Sequence, residues 1–403
     1  MMKSEPVNKF EICLFLLFTV AFFYNSYRYP LMINSSVTSP TYSDTPLLLQ
    51  TGKYVLFVLL MVYMYVRFAA LRIDKELRIW LVVLLFYLMA APVVYGMVLG
   101  NLELLESGFF VAVSMVLVLC RAVEFDCRRA AKAMHVLLVI YLVVNAIQMV
   151  MAVVFGRMPA LANPGSAEIR FGSVMDDPNS FGILLSLFAG FAVYYYEGVK
   201  RKIFLGLIVV SLIMTQSLTA IGSTSLVFVV LYRDVLAGFL RKHLAAVIVA
   251  CIAFCSVVFF LRETFINAFG GKYYSILGHL DAFSVFEGIS LLAIAGLRPT
   301  GVLGESGYVN FTVNMGVQYA LLFLLLGVLA IREVVGLRKN RHDRCELAVI
   351  NAVLAFLPTV MIGMTNLPYH QIFPVNAVYY ILIGLVISGA LARSLKSGPR
   401  VAS

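Results

Sequence analysis

Apolar runs long enough to cross a lipid bilayer recur along this chain of 403 residues and dictate its architecture. A hydrocarbon core about 30 Å thick needs roughly twenty mostly apolar residues per helical span. Hydrophobic residues make up 62% of the sequence and charged residues only 13%, which excludes an ordinary soluble domain. The pattern predicts an all-α, polytopic transmembrane helix bundle of about 12 spans, forming a single integral membrane domain over residues 1–403. The predicted spans are residues 11–27, 53–71, 79–99, 109–125, 134–155, 181–198, 203–216, 219–236, 244–261, 309–331, 346–364 and 375–392.

Lysine and arginine are distributed unevenly between the gaps that separate these spans. Twenty-four of the 31 lie in one set of alternate gaps, and seven lie in the other set. Because cytoplasmic loops of membrane proteins carry an excess of Lys and Arg, the distribution predicts that both termini are cytoplasmic. The net charge of +10 is then explained by loops lying against anionic membrane lipid, and we expect no nucleic-acid partner.

The polar residues 215–219 leave two interpretations of the segment between the predicted seventh and eighth spans. They connect a tight helical hairpin, or they interrupt one long passage. The hairpin agrees better with the charges, because a single passage would move the basic loop after Ile331 to the outer side.

Three longer outer loops are predicted to form the functional side, at residues 28–50, 156–180 and 262–308. The last of these is the largest and lies between spans 9 and 10. Within it, residues 283–297 are apolar but too short to span, which predicts an interfacial or re-entrant helix.

Arginines in these outer loops are candidate phosphate ligands. A guanidinium stays protonated and offers forked donors that match phosphate oxygens, so Arg170 near the outer surface suits a lipid-linked phosphate. The alternative for Arg170 is a salt bridge to Asp176 or Glu168. Arg298 also has two interpretations, which are a functional cation and a solvated charge.

Other outer-loop side chains are candidates for acid and base chemistry. His370 lies in the last outer loop and can titrate near neutral pH, although an interfacial histidine with no reactive role would look the same in the sequence. Asp177 and Asn179 around a proline are typical of a capped helix start. No His, Cys and Asp cluster has metal-site spacing, and we predict neither a metal nor another cofactor.

Four motifs occur in order along the chain and lie in or next to the predicted outer loops. They are Ser39-Pro40-Thr41-Tyr42-Ser43-Asp44-Thr45-Pro46 before Lys53-Tyr54, Arg170-Phe171-Gly172 before Asp177-Pro178-Asn179, Thr215-Gln216-Ser217-Leu218-Thr219, and Gly304-Glu305-Ser306-Gly307-Tyr308 before Asn314-Met315-Gly316. With these motifs and this layout, the chain resembles the bacterial O-antigen polymerase and ligase superfamily, most closely the Wzy-type polysaccharide polymerases. It departs from the family's Arg-x10-Gly motifs, because Phe181 and Val309 stand where the glycines are expected.

The resemblance implies a GT-C-like, metal-independent and inverting membrane glycosyltransferase. Such an enzyme transfers a growing glycan from undecaprenyl diphosphate to the nonreducing end of another lipid-linked repeat, at the outer face of the bacterial inner membrane. The active side is then periplasmic or extracellular. The partners that the resemblance implies are lipid-linked oligosaccharides, membrane lipid, a chain-length regulator and a flippase of the same pathway.

The resemblance also implies roles for individual residues. The candidate diphosphate ligands are Arg170, Arg298, Lys272 and Arg262, which would stabilise the charge of the leaving diphosphate. The candidate bases for the acceptor hydroxyl are Glu305, Asp176, His279 and His370. Two rival functions stay open: an O-antigen ligase that transfers glycan to lipid A core with His370 as its base, and a flippase or exporter that moves lipid-linked sugars without forming bonds.

We predict that Arg170→Ala abolishes glycan chain extension and leaves membrane insertion intact, because the leaving diphosphate loses a fixed cation. Product length on a gel, with protein amounts matched in the membrane fraction, measures the effect. Polymer of normal length from this variant would remove the proposed role of Arg170.

Overall fold

Helices make up every regular element that the structure describes. The computed structural model describes residues 55, 77–119, 127–155, 171–173, 175, 177–233, 238, 242, 283–298, 300, 306–339, 343–370, 372, 375–389 and 391. We number its α-helices in chain order: α1 Leu77–Leu99, α2 Leu102–Leu119, α3 Cys127–Phe155, α4 Pro178–Tyr195, α5 Gly198–Met214, α6 Leu218–Leu231, α7 Leu291–Ile294, α8 Gly307–Met315, α9 Val317–Arg338, α10 Arg344–Gly363 and α11 Val375–Ile387. A short 3₁₀ turn, Ser284–Phe286, precedes α7. The all-α prediction is confirmed for this part of the chain.

Five of these helices are long and apolar enough to cross a membrane, namely α1, α3, α4, α9 and α10. Two more, α6 and α11, are apolar but shorter. The protein is therefore a helical membrane protein. The predicted spans 11–27 and 244–261, and all of 53–71 except Val55, lie outside the described residues. The count of twelve and the orientation in the membrane stay predictions.

The centre of the described bundle is the contact between α4 and α10. Fourteen of the 18 residues of α4 are buried, and so are 13 of the 20 residues of α10. Small residues allow this close approach, as is common between helices in membranes. A Cβ atom on Gly190 would lie 2.3 Å from the backbone oxygen of Asn351 and 2.7 Å from Cβ of Ala355. Only glycine fits at this crossing.

The outer helices of the bundle carry apolar side chains on their exposed faces. Trp80 on α1 is 74% exposed, and Leu321 on α9 is 59% exposed. Exposed apolar faces of this kind are expected where a helix contacts hydrocarbon, because lipid tails are as apolar as leucine. Helices α1 and α9 therefore present lipid-facing surfaces around the α4 and α10 core.

The first end of the bundle, which we call the basic end, gathers loops that the charge distribution assigns to the cytoplasm. It comprises residues 127–132, 194–202, 338–339 and 343–344. Two ion pairs join these loops: Arg128 Nη2 lies 3.1 Å from Asp343 Oδ2, and Arg344 Nη1 lies 2.7 Å from Glu197 Oε1. Asp343 also caps α10 by accepting the backbone N–H groups of Cys345 and Glu346.

The opposite end, which we call the loop end, gathers segments that the sequence assigns to the outer side. It comprises residues 171–177, 215–219, 306–308 and 364–370. The backbone N–H of Phe171 donates to Met214 O at 3.1 Å, and Asn366 Nδ2 donates to the hydroxyl of Thr219. The structure thus separates the two sets of loops onto two ends.

The chain reverses direction between α5 and α6. Helix α5 begins at the basic end and ends at Met214, beside Phe171 at the loop end. Helix α6 begins beside Asn366, and the residue after it, Tyr232, interacts electrostatically with Tyr194 and Arg338 of the basic end. Residues 215–217 therefore connect two antiparallel helices, which supports the hairpin interpretation over one broken passage.

The predicted span 309–331 is wrong in its limits, because two helices share it. Helix α8 ends at Met315, and α9 runs from Val317 to Arg338. Gly316 between them has φ 91°, a left-handed conformation that favours glycine. The sequence is apolar on both sides of Gly316, so a search for apolar runs does not detect the break between α8 and α9.

The predicted single interfacial or re-entrant helix at residues 283–297 is also wrong. The structure has only the 3₁₀ turn and the four-residue helix α7 there. Gly288 separates these two turns, and Gly296, with φ 73°, follows the second. Gly288 and Gly296 favour short turns over one continuous helix.

We predict that Gly190→Ala destabilises the protein by about 1–3 kcal/mol, because the new methyl group has to displace the backbone of α10. The measurement is the thermal midpoint of the purified protein in detergent. Gly206→Ala in α5 is the matched control, because no heavy atom lies within 4 Å of the new methyl position. Equal midpoints for the two variants would contradict the tight crossing.

Candidate functional site

The loop between α10 and α11 is fixed against the start of α8. The backbone N–H of Gly307 donates to Met364 O at 2.9 Å, and the Tyr308 hydroxyl donates to Met361 O at 2.7 Å. Ser306 caps α8, since its hydroxyl accepts the Val309 N–H. These contacts position His370 beside the first turns of α8.

His370 is enclosed in an apolar pocket at the loop end. Its side chain is 1% exposed, and its ring centre lies 4.0 Å from that of Phe311. Neither ring nitrogen has a hydrogen-bond partner among the described residues. A buried polar group without a partner calls for an explanation, and a bound molecule or a reactive role is one such explanation.

Gly307 packs directly against one imidazole nitrogen. A Cβ atom there would lie 3.2 Å from His370 Nδ1 and 3.0 Å from Cε of Met364. Any larger residue would therefore crowd the Nδ1 side of the ring. The lack of a side chain at position 307 lets the start of α8 approach the imidazole this closely.

Burial lowers the pKa of His370 from 6.5 to about 3. The cause is desolvation, which disfavours the charged imidazolium. The ring is therefore neutral at physiological pH, with a lone pair that can accept a proton. A neutral imidazole is the form that a general base requires.

The segment before α4 is held by a buried polar clamp. Gln148 of α3 binds the backbone of Ser173 twice: its Nε2 donates to Ser173 O at 2.8 Å, and its Oε1 accepts the Ser173 N–H at 3.1 Å. The Ser173 hydroxyl donates to Tyr141 O at 2.8 Å. Ser173 has φ 54°, a conformation uncommon for a residue other than glycine. The clamp therefore holds a strained turn three residues after Arg170.

Asp177 is the N-cap of α4, which confirms the capping interpretation. Its carboxylate accepts the N–H groups of Asn179 at 3.0 Å and Ser180 at 2.9 Å, and also the Ser180 hydroxyl at 2.7 Å. All three bonds stabilise the start of the helix. The Asp177 carboxylate therefore has a structural role at the start of α4.

Arg298 projects from a segment that is anchored to three helices. The Tyr95 hydroxyl of α1 donates to Gly296 O, and Gln318 Nε2 of α9 donates to Ala295 O at 2.9 Å. The N–H of Thr300 donates to Val313 O of α8 at 3.2 Å. The Arg298 side chain is exposed and forms no ion pair with another described residue. Its backbone is fixed, and its exposed guanidinium is unpaired as far as the described residues show.

Two of the eight predicted site residues, His370 and Arg298, lie in the described part of the chain. Helix α8 touches both of their segments, through Phe311 and Val313. No hydrogen bond joins the two side chains to each other. The other six lie outside the described residues, and their roles stay predictions: Glu305, Asp176, His279, Arg170, Lys272 and Arg262.

The sequence reasoning missed the buried amides of α3. Asn145 donates to the hydroxyl of Ser211 at 2.8 Å, and Gln148 lies one turn later and holds Ser173. Two amides spaced i, i+3 inside an apolar span are a detectable signal, because polar groups in hydrocarbon need internal partners.

No group of three His, Cys, Asp or Glu residues close enough to hold a metal ion occurs within the described ranges. A comparison of the chain with models of protein families and with curated proteins found no match. The chemistry of the site therefore has to be argued from its residues.

We predict that acid destabilises the wild-type protein through His370. Its pKa is near 3 in the folded state and 6.5 in the unfolded state, so the unfolded state binds more protons between these values. Stability is complete above pH 6.5 and falls by about 1.4 kcal/mol per pH unit as the pH drops below it.

The measurement is the change in unfolding free energy between pH 7.5 and pH 5.5 for wild type and His370→Leu. The apolar variant should lose about 1.4 kcal/mol less than wild type over that step. Identical acid responses of His370→Leu and wild type would contradict a buried neutral imidazole.

Proposed function

We propose that this protein is a membrane glycosyltransferase of the Wzy type that polymerises undecaprenyl-diphosphate-linked oligosaccharide repeats. In the proposed reaction the growing glycan moves from its lipid diphosphate to the nonreducing end of another lipid-linked repeat. The transfer inverts the anomeric centre and needs no metal. Its proposed setting is the outer face of a bacterial inner membrane.

The observation that carries the proposal is the enclosed imidazole of His370, which has no hydrogen-bond partner among the described residues. In the transfer, the acceptor oxygen bonds to the anomeric carbon, and the bond from that carbon to the diphosphate oxygen breaks. The acceptor proton then needs a base. A neutral imidazole is suited to take it, and the contact of Gly307 with the Nδ1 side fixes the position of the ring.

A bound diphosphate would strengthen this base. Nearby negative charge favours the imidazolium, so it raises the pKa of a histidine that burial has lowered. His370 would therefore be a weak base in the free protein and a stronger one with substrate in place. Such coupling links proton uptake to the presence of the leaving group.

Arg298 gives the second line of support. Breaking the glycosidic bond leaves negative charge on the diphosphate, and a preorganised cation stabilises that charge. The guanidinium is exposed, and its segment is fixed to α1, α8 and α9. Arg170, Lys272 and Arg262 are proposed to share this role, on the resemblance alone.

A ligase that transfers glycan to lipid A core is the second candidate. The same observation favours it, because its base is also an outer-loop histidine by resemblance. The two functions differ in the acceptor, which neither Arg298 nor His370 specifies.

Purified protein given defined lipid-linked repeats tests the proposal. A ladder of longer lipid-linked products, formed without any core acceptor, supports a polymerase. Product formed only when lipid A core is added supports the ligase. Translocation of the repeat without a new glycosidic bond would identify a flippase or exporter and remove the proposed chemistry.

We predict that Arg298→Ala slows product formation about 100-fold, because one charge-stabilising donor is lost in the transition state. The rate of ladder formation by purified protein is the measurement. Arg332→Ala removes another exposed cation, on α9, and should keep the wild-type rate. A wild-type rate for Arg298→Ala at matched folding would show that this guanidinium does not meet the diphosphate.

A further inference from the structure

The corner between α4 and α5 exposes three consecutive cations. Lys200, Arg201 and Lys202 lie in the first turn of α5, and all three are exposed. None of them forms an ion pair with a described residue. The acid next to them, Glu197, is instead paired with Arg344 at 2.7 Å. The three positive charges are therefore not paired with any acid in the described part of the chain.

This corner is held rigidly. The ring of Tyr196 stacks on Phe204 with centroids 4.0 Å apart, and its hydroxyl is hydrogen-bonded to His135 Nδ1. Arg344 Nη2 donates to Tyr195 O at 3.1 Å. The cations consequently project from a fixed backbone, which lowers the entropy cost of binding a ligand there.

An exposed apolar stripe continues from the cations along α5. Its most exposed members include Val199 at 71%, Ile203 at 54% and Ile213 at 57%. At 3.6 residues per turn these side chains share one face of the helix, and Lys200 and Lys202 lie at its two edges. Arg201 lies on the opposite side of the helix. The surface therefore joins a positive end to a hydrocarbon-compatible face.

We propose that this surface binds an anionic glycerophospholipid of the membrane. The phosphodiester would lie against Lys200 and Lys202, and the acyl chains would lie along the stripe. The distance from Lys202 to Ile213 is about 17 Å at 1.5 Å per residue. One leaflet of the hydrocarbon core is about 15 Å thick, so the dimensions agree.

Charge and shape together favour lipid over a soluble anion. A free phosphate would use the cations and leave the stripe unmatched, and an acidic soluble protein would have to dehydrate the stripe without hydrocarbon to place on it. The proposal does not rest on the proposed glycosyltransferase activity. It requires only that α5 borders lipid.

Lipid binding to the purified full-length protein tests the proposal. The protein in a neutral detergent is titrated with dioleoylphosphatidylglycerol or with dioleoylphosphatidylcholine, and native mass spectrometry measures bound lipid. Each cation near an anionic headgroup strengthens binding about fivefold. Two of the three cations, Lys200 and Lys202, would contact the headgroup, so the joint change Lys200→Gln, Arg201→Gln and Lys202→Gln should weaken phosphatidylglycerol binding about 25-fold and leave phosphatidylcholine binding unchanged.

A matched control removes three other exposed cations, Lys132→Gln, Arg332→Gln and Lys339→Gln. It lowers net charge equally and should keep phosphatidylglycerol binding within about fivefold of wild type. Equal losses in the two triple variants, or a wild-type protein with no preference for phosphatidylglycerol, would overturn the proposal. Competition by millimolar glycerol phosphate as strong as that by the lipid would identify a site for soluble phosphate and would overturn it too.

Discussion

The close crossing of α4 and α10 at Gly190 is the contact on which the described bundle depends. In hydrocarbon no hydrophobic force draws helices together, so packing of small residues and internal hydrogen bonds must do so. The Gly190 backbone meets the Asn351 carbonyl, and this contact sets the position of both helices. At the loop end, α4 begins with the Asp177 cap and α10 leads into the loop of His370. A shift at the crossing would therefore move both halves of the candidate site.

Two buried polar side chains at the loop end differ in their hydrogen bonding. The Gln148 amide and the Ser173 turn satisfy one another completely, and this fixes the chain before α4. The imidazole of His370 has no hydrogen-bond partner among the described residues, in an equally buried place. An unsatisfied buried group costs free energy that a ligand can recover when it binds. The proposed base therefore differs from the Gln148 amide in having no structural hydrogen bond to the described part of the chain.

Apolar length and charge predicted the helices well and their interruptions poorly. The spans predicted at 346–364 and 375–392 match the starts of α10 and α11 within two residues, because both helices begin after polar loops. The break at Gly316 was missed, because a single glycine barely changes the hydropathy of its window. The charge distribution also anticipated the reversal at residues 215–217. Local composition suffices for such features.

The candidate site was harder to predict from the sequence than the helices were. His370 and Arg298 could be nominated from residue type and loop position, but their enclosure and exposure depend on how α8 packs. The clamp joins Gln148 to Ser173 across 25 positions of sequence, and the partner of a buried amide cannot be read from its own neighbourhood. Tertiary contact decides what each polar group does.

The level of Ser173 along α3 has a consequence for electrostatics. Its backbone bonds to Gln148, which lies seven positions before Phe155 at the end of α3, and its hydroxyl bonds to Tyr141 O, two turns deeper. At 1.5 Å per residue, Gln148 is about 10 Å below the tip of the helix. The chain that leads into α4 thus lies beside the body of α3 and not beside its last turn. A charge placed at this level acts through a medium that screens far less than the aqueous phase.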